Sequence, residues 1–309
     1  MSRASIVAML IAAEVLIVGL ALYTVSGGKR SYAAGMQHVD FTPAAVSPIA
    51  AGATPRIVVD DEDSRVTVAV SNDDLVHVRD LTQMHGGVFS SGHYAQLHVT
   101  RTSDGVRIER PSGNHLSIEI FGFSRQAIEV LVPRGSQVEV ARCSGAEVSG
   151  ITGGVSVQSQ DGRITLADLQ GNVAANSADG SVKATNVRGD RLSMETRDGH
   201  LTLQDVAAGA LVATTRDGGI DARGISLQGQ SPQATIHSGD GSVRLQLAPN
   251  ADLTIDASTG DGRIVVDGSS LPRDDSAQRT IRLGAGTGRM TVGTADGSIN
   301  ISTNGALVQ

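Results

Sequence analysis

The pattern of apolar positions changes along the chain, and the change predicts which element lies where. From Ala4 to Ser26 the residues are apolar almost without a break, and Glu14 is the one charged residue among them. About 23 residues in a helix span roughly 34 Å, enough for a bilayer core of about 30 Å. From Arg56 onward, apolar and polar residues alternate instead, which is the signature of β-strands.

Two interpretations of the N-terminal segment stay open. A signal peptide would be cut before Ala34, with Ser31 and Ala33 as the small residues preceding the cut. An uncleaved anchor fits better, because the apolar run exceeds the roughly 7–15 residues of a signal-peptide core. We therefore predict a membrane anchor or signal segment over residues 1–30, with the membrane as a partner through one transmembrane helix.

The charges around this span say little about its orientation. Arg3 precedes the span, whereas Lys29 and Arg30 follow it. The positive-inside rule alone mildly favours a cytoplasmic C-terminus. Glu14 is either protonated within a tolerant single span or lines a contact between helices.

A linker and a first β region follow the predicted anchor. Residues 31–55 form a Pro/Ala-rich linker, since three prolines between Phe41 and Pro55 disfavour a packed element. Residues 56–133 alternate as strands, and two of these strands flank the acidic turn Asp60–Asp63. This turn could bind Ca²⁺, but it lacks the spaced aspartates of a calcium loop, so a solvated turn is favoured.

Four histidines of the first β region could in principle ligate a metal. They are His77, His85, His93 and His98. Because no recognised ligand spacing relates them, polar strand and loop positions explain them better than a metal site.

Residues 134–309 carry an internal repeat, which is the strongest signal in the chain. An Asp-Gly pair recurs at spacings of 18, 19, 19, 23, 21 and 35 residues. The repeated aspartates are Asp161, Asp179, Asp198, Asp217, Asp240, Asp261 and Asp296. Each aspartate has Ser or Thr two residues before it. The positions 6 and 4 residues before the aspartate and 3 and 5 residues after it are apolar in every repeat, which is 28 of 28 positions in a chain that is 40% apolar. The unit is therefore a strand, an Asp-Gly turn and a second strand.

Successive hairpins would build this repeat into an antiparallel meander or barrel, and stacked coils would build a β-solenoid with parallel pairing. The near-constant spacing, the agreement of equivalent positions and the absence of aromatic residues beyond Phe123 favour the solenoid. We predict that Ile164, Val182, Leu201 and Ile220 stack in one interior row. Extra residues should leave the coils at 223–235 and 267–287.

The residues of the Asp-Gly turns can be interpreted as structural or as ligand-binding. Glycine permits a positive φ, and aspartate hydrogen-bonds its local backbone. The hydroxyl residue continues the inward alternation, so it should satisfy turn amides or a stacked neighbour. Stacked aspartates about 4.8 Å apart repel one another and could hold Ca²⁺. Aspartate bonded to its own turn is favoured, because the repeat-toxin calcium motif is absent.

Composition narrows the function. The net charge of −7 argues against nucleic-acid binding, and the single cysteine, Cys143, excludes an internal disulfide. The outward positions are mostly Arg, Ser, Thr, Gln and Asn, with no carboxylate cluster of the kind that polysaccharide-cleaving β-helices use. We predict no enzyme activity and no catalytic, cofactor-binding or metal residues.

The chain also resembles a known family. Val132-Pro133-Arg134-Gly135, followed by glycine-punctuated strands and Ser/Thr-x-Asp-Gly turns, resembles the bacterial "putative adhesin" family of domains of unknown function. The resemblance covers Arg56 to Ile301, and residues 153–222 carry most of it. It implies an all-β, right-handed single-stranded β-helix on a cell-envelope protein, often behind an N-terminal membrane segment. It supplies no catalytic residues.

These observations predict a non-enzymatic, membrane-anchored, adhesin-like scaffold, mostly outside the cytoplasm, with an unknown protein or polymer partner. A signalling partner of a neighbouring membrane protein is the alternative, and a polysaccharide-active enzyme is less favoured. The polar segment Ser269–Arg279 should project as a loop, which serves either as a partner-binding site or only as a solvated connection.

Overall fold

The computed structural model describes residues 43–90, 96–111, 117–267, 269–270 and 277–303. Over these residues the regular elements are strands. The strands are β1 (Ile49–Ala50), β2 (Arg56–Asp60), β3 (Arg65–Val70), β4 (Leu75–Asp80), β5 (Gln83–Ser90), β6 (His98–Arg101), β7 (Gly105–Glu109), β8 (Ser117–Arg125), β9 (Ala127–Val132), β10 (Gln137–Arg142), β11 (Gly145–Ser149), β12 (Val155–Ser159), β13 (Ile164–Gln170), β14 (Val173–Ser177), β15 (Val182–Thr196), β16 (Leu201–Thr215), β17 (Ile220–Leu227), β18 (Gln233–Ser238), β19 (Val243–Leu247), β20 (Leu253–Thr259), β21 (Ile264–Val266), β22 (Ser269–Ser270), β23 (Ala277–Leu283), β24 (Gly288–Thr294) and β25 (Ile299–Ser302).

The predicted transmembrane helix at Ala4–Ser26 lies outside the described residues. Within the described part of the chain, no helix has the length and apolarity needed to cross a bilayer.

Equivalent strands of the repeat pair in parallel, so the prediction of stacked coils is confirmed and the hairpin meander is wrong for the repeat. Ile164 lies opposite Val182, Val182 opposite Leu201, and Leu201 opposite Ile220. Two rows of strands result. We call the strands that precede an Asp-Gly corner the first row and those that follow it the second row. β15 and β16 run from the second row of one coil into the first row of the next.

The core is a column of aliphatic side chains between the two rows. All 28 apolar positions of the repeat are buried. Strand alternation places these side chains inward at every second residue. Parallel stacking then places equivalent residues of neighbouring coils next to one another along the column. The strands of residues 56–133 extend the same column, because β2 pairs with β10 and β3 pairs with β11.

At the C-terminal end, the order of coils in space differs from their order in the chain. The last coil, β24 and β25, lies between the coil of β18 and β19 and the coil of β20 and β21. The spacing of 35 residues between Asp261 and Asp296 is therefore a detour and not a long coil. The chain passes to the outside of the stack and then returns one place inward.

The N-terminal end mirrors this arrangement. The coil formed by β2 and β3 comes first in the chain, yet it is second in space. It lies between the end coil, β7 and β9, and the next coil, β10 and β11. Strands β5 and β8 leave the end coil and pair with each other as a separate antiparallel sheet.

Antiparallel strands cover both ends of the stack. β6 pairs with β7 and β4 pairs with β9 at one end, while β23 pairs with β20 and β22 pairs with β21 at the other. β1, within the predicted linker, pairs with β4 and so belongs to the N-terminal cap. Such caps occupy the backbone groups that an open end would offer to other chains.

A Thr-x-Asp-Gly sequence also occurs in the cap, where it makes a different structure. Thr102 to Gly105 joins β6 to β7 as an antiparallel hairpin, with the Thr102 amide donating to the Gly105 carbonyl at 2.9 Å. In the repeat, the same residue types turn a corner between stacked coils. The local sequence therefore does not distinguish a hairpin from a corner.

We expect Leu201→Asp to unfold the adjacent coils, because Leu201 is fully buried and a carboxylate there has no partner. Such changes cost several kcal/mol, on the order of 3–5. Gln204→Asp, at an exposed position on the same strand, is the matched control. Arg197, which also points outward, would be a poorer control because it binds Asp179. Similar thermal unfolding midpoints for the two variants would contradict the inward assignment.

Engineered cysteine pairs test the order of the coils. Thr235 and Thr291 are direct neighbours on β18 and β24, so a Thr235→Cys/Thr291→Cys variant should form a disulfide. Thr235 and Asp256 are two strands apart, about 9.6 Å, which exceeds disulfide reach. We expect a cross-linked peptide by mass spectrometry for the first pair only, with Cys143 replaced by serine in both variants. Cross-linking of the second pair alone would mean that the coils stack in chain order.

Candidate functional site

The Asp-Gly corners are held together by a ladder of hydroxyl groups. Each Ser or Thr of the motif accepts a hydrogen bond from the glycine amide of its own corner, at 2.9–3.2 Å in all seven repeats. The same hydroxyl donates to a carbonyl of the preceding coil, as Thr215 does to Gly199 at 3.0 Å. The prediction that these hydroxyls point inward and serve turn amides or stacked neighbours is confirmed.

The corner glycines are required by close approach and not by a positive φ, which corrects the expectation from the sequence. None of the seven has a left-handed φ. A Cβ atom on Gly218 would stand 1.8 Å from the Gly199 carbonyl oxygen, and Gly180 and Gly199 are equally crowded by the coil before them. Any side chain here would force neighbouring coils apart.

Left-handed backbone instead occurs at the opposite corner, in one stacked column. Gly150, Asp168, Asn186, Asp205 and Gly224 lie in register there, with φ between 53° and 77°. Glycine, asparagine and aspartate are the residues that accept this conformation at low cost.

The aspartates of the Asp-Gly corners point outward in a row. Among these described corners, no carboxylate hydrogen-bonds its own turn, so the hydroxyl residue does what the sequence analysis assigned to aspartate. Arg197 reaches Asp179 on the preceding coil at 2.6 Å and Asp198 at 3.5 Å. The hydrogen bond from Arg197 lowers the pKa of Asp179 below its ordinary value. Within the described residues, no group of three or more His, Cys, Asp or Glu side chains is arranged to hold a metal ion.

The outer surface of the first row, which we call the first face, carries charge at its margins and, from β12 to β24, mostly short uncharged side chains between them. Its central line follows the register from β12 to β24. That line consists of Ser156, Ala174, Ser193, Val212, Thr235 and Thr291. Val212 is 36% exposed, an aliphatic side chain in the middle of an otherwise polar surface.

The outer surface of the second row, the second face, is different because charged residues lie within it. Glu147, Lys183, Asp221, Arg223 and Arg244 all point outward there, and Arg223 binds Asp221 at 2.8 Å. Charges of both signs are thus interspersed over this face, as is usual for a solvated surface.

A trough of about 690 Å³ crosses the N-terminal part of the first face. Its lining includes Arg56, Glu139, Ser156, Asn172 and Arg191. Arg56 binds Glu139 at 2.7 Å, and this hydrogen bond raises the pKa of Arg56. The trough is open, and polar and apolar atoms contribute about equally to its lining.

The acidic turn Asp60–Asp63 forms ion pairs, which corrects the expectation of a solvated turn. Asp60 binds Arg142 at 2.6 Å and 3.0 Å. Asp61 is buried and accepts hydrogen bonds from the Ser64 hydroxyl and from the Arg110 guanidinium, each at 2.7 Å. Asp63 is exposed.

Arg110 links the end coil to its cap. Besides Asp61, it binds Asp80 at 3.1 Å, and all three side chains are at most 6% exposed. Burial alone would lower the pKa of Arg110, but the hydrogen bonds and charges of the two carboxylates outweigh it and raise the pKa. The cluster lies where the corner ladder ends, so we assign it a structural role.

The histidines are not gathered into a site in the described part of the chain. His77 bonds to Asp73 at 2.9 Å, and this contact lowers the pKa of Asp73. His98 is an exposed residue of β6, and His85 lies on β5. His93 lies outside the described residues.

Cys143 and the segment Ser269–Arg279 complete the predicted features. Cys143 is a buried free cysteine, and burial raises the pKa of its thiol. Both ends of the segment are strands and not a projecting loop, since Ser269–Ser270 forms β22 and Ala277 to Arg279 pair with β20. Deleting the segment would therefore remove part of the C-terminal cap. Residues 271–276 lie outside the described residues.

Together, the parallel coils, hydroxyl-bonded corners and antiparallel caps define a capped all-β solenoid. The chain belongs to the Toastrack DUF4097 family, whose model matches residues 54–302. The family resemblance drawn from Val132–Gly135 and the repeat is thereby confirmed.

Two solved structures are similar to this chain. One, titled a "putative adhesin", comes from Bacteroides fragilis, with 11% identity, a TM-score of 0.38, and 82% of this chain and 95% of the other covered. The second, titled a "putative cell adhesion protein", comes from Clostridium sporogenes, with 9% identity, a TM-score of 0.28, and coverage of 82% and 93%. No curated protein matches the chain.

We expect Thr215→Val to destabilise the protein by about 1–3 kcal/mol, because it leaves the buried Gly199 carbonyl and Gly218 amide without the hydroxyl. Thr214→Val, at an outward position on the same strand, should change stability little. Thr215→Ser keeps the hydroxyl and should retain most of the stability. Thermal and urea unfolding measure all three, and equal destabilisation by the two valine substitutions would contradict the ladder.

Proposed function

We propose that this protein is a non-enzymatic, membrane-tethered scaffold of the cell envelope that binds other molecules through the outer faces of its solenoid. One observation carries the proposal. The apolar and corner positions of every repeat serve the stack itself, while the outward positions display polar and charged side chains on a fixed backbone.

A rigid display of this kind suits binding. The corners are tight and the caps are paired, so within the described solenoid coils the two faces are extended surfaces open to a partner. Side chains already held by a sheet lose little freedom on association, which reduces the cost of forming an interface. Membership of the Toastrack DUF4097 family is compatible with this role, although fold membership alone does not assign function.

The titratable side chains also support a structural and binding role over catalysis. Arg56, Arg142 and Arg197 each bind a carboxylate of a neighbouring strand or coil. Such ion pairs hold the surface side chains in place. Their charges are then paired with one another, whereas a hydrolytic site would need charged groups directed toward its substrate.

Tethering is the second part of the proposal, and it rests on the apolar segment Ala4–Ser26. β1 pairs with β4 in the N-terminal cap. The described chain therefore enters the solenoid at its capped N-terminal end, which is where a tether that precedes residue 43 would be attached.

Reporter fusions at Gln309 test the location. We expect an alkaline phosphatase fusion, active only outside the cytoplasm, to be active in cells, and a cytoplasm-specific fluorescent fusion to be dark. A chain that lacks residues 1–33 is the matched control and should reverse both results. A full-length fusion that is active only in the cytoplasm would overturn the envelope assignment.

A further inference from the structure

The starting edge of the first face is a line of arginines and amides. One register row crosses the sheet from β2 to β23, with each residue opposite the next. The row reads Arg56, Gln137, Gly154, Asn172, Arg191, Ala210, Gln233, Arg289, Thr254 and Arg282. This row contains four arginines and no carboxylate. Arg191 and Arg289 are exposed at the middle and toward the end of the line.

The opposite edge of the same face carries seven corner aspartates together with two exposed arginines, Arg197 and Arg216, so its net charge is negative. The aspartates come one from each repeat and lie about 4.8 Å apart along the stack. Arg197 neutralises part of this row through Asp179 and Asp198. Asp217 and Asp296 are exposed and form no ion pair with any residue of the described chain.

The area between the two edges is nearly free of charge. From β12 to β24 the central line is made of Ser, Ala, Thr and Val side chains, with Val212 exposed at its middle, and on β20 it continues with Asp256. Glu195 is half-buried and is bound by the Ser193 hydroxyl at 2.8 Å. Depletion of charge at the centre, with charge retained at the rim, is typical of a protein interface.

A face with opposite charges on its two long edges is complementary to itself. Consider a two-fold axis that lies in the interface and runs along the stack of strands. This axis reverses the strand direction of the second copy, so each basic edge meets the partner's acidic edge. A two-fold axis along the strands would instead oppose like charges. Charge therefore selects one of the two arrangements.

We propose that the first face binds a second copy of this chain, forming a two-fold dimer in which the two solenoids run in the same direction. The arginine row containing Arg191 and Arg289 lies against the partner's row of corner aspartates. The short side chains between them let the two sheets pack at about the usual 10 Å.

The available area suits a stable dimer. Six strands from β12 to β24 extend about 29 Å along the stack, and seven residues between the edges extend about 23 Å. The product is roughly 660 Å² per copy, or about 1,300 Å² for the two copies together, which is within the range of specific interfaces. The second face lacks this arrangement, because Lys183, Asp221 and Arg244 lie within it.

The dimer extends the proposed scaffold role. It rests on that proposal in one respect, which is that the outer faces are binding surfaces. Because the two copies run in the same direction, their N-terminal caps lie at the same end of the dimer. Two chains tethered to one membrane through their N-termini could therefore both take part.

Charge reversal on full-length chains tests the dimer. The edge variant carries Arg191→Asp and Arg289→Asp, which reverses the charge of the two arginines of the basic edge that lie between β12 and β24. The corner variant carries Asp217→Arg and Asp296→Arg, which reverses the charge of two exposed aspartates of the acidic edge that form no ion pair with a described residue. Gln204→Arg on the second face is the control, and circular dichroism checks that every variant folds. Two differently tagged copies are co-expressed and purified in detergent, and recovery of the second tag is measured.

We expect wild type with wild type, and control with control, to co-purify. Edge with edge and corner with corner should each lose at least tenfold in recovery, and edge with corner should regain it. Raising the salt concentration should weaken wild-type association, because exposed charges are screened.

Three outcomes would overturn the proposal. The first is a wild-type chain that does not self-associate, the second is undiminished pairing of the edge variant with itself, and the third is a folded edge and corner mixture that fails to pair. None of these bears on the reporter fusions, so the location of the protein is judged separately.

Discussion

The structure depends on how closely consecutive coils approach at the Asp-Gly corners. Because glycine has no side chain, the carbonyl group of the neighbouring coil can occupy the space that a Cβ atom would fill. The Gly199 carbonyl does so at Gly218. The Ser or Thr hydroxyl then joins the two coils, accepting from its own glycine amide and donating to that carbonyl. Buried backbone groups at the corner are thereby satisfied without water, and the strand spacing required by the sheet is kept.

A stack built this way has two ends, and both ends are closed in the same way. At both ends one coil is taken out of chain order, and antiparallel strands cover the outermost coil. At the N-terminal end, the corner ladder stops at the buried cluster of Arg110 with Asp61 and Asp80. Removing the charge of Arg110 would leave two buried carboxylates without a counterion, which is why the cluster and the cap depend on each other.

The outward-facing surface, which the stack does not use, is the part of the solenoid that can serve function. Inward positions, corner glycines and corner hydroxyls are committed to the fold, so variation without loss of stability is confined to outward residues. On the first face these residues separate by chemistry, with arginines such as Arg191 at one edge, aspartates such as Asp296 at the other and short side chains between. That separation follows from the register of the strands, since residues far apart in the chain are brought into single lines.

The sequence by itself determined the repeat, the interior rows and the inward hydroxyls, because strand alternation and a near-constant coil length act locally and recur. It also indicated the family through Val132–Gly135 and the repeat. The order of the coils, the caps and the burial of Asp61 were decided only by the tertiary structure. A Thr-x-Asp-Gly sequence forms a hairpin at Thr102 and a solenoid corner at Thr215, because the choice rests on which distant strand is available for pairing. That choice is made by long-range backbone hydrogen bonds and by the ion pairs of the caps, for which no local pattern exists.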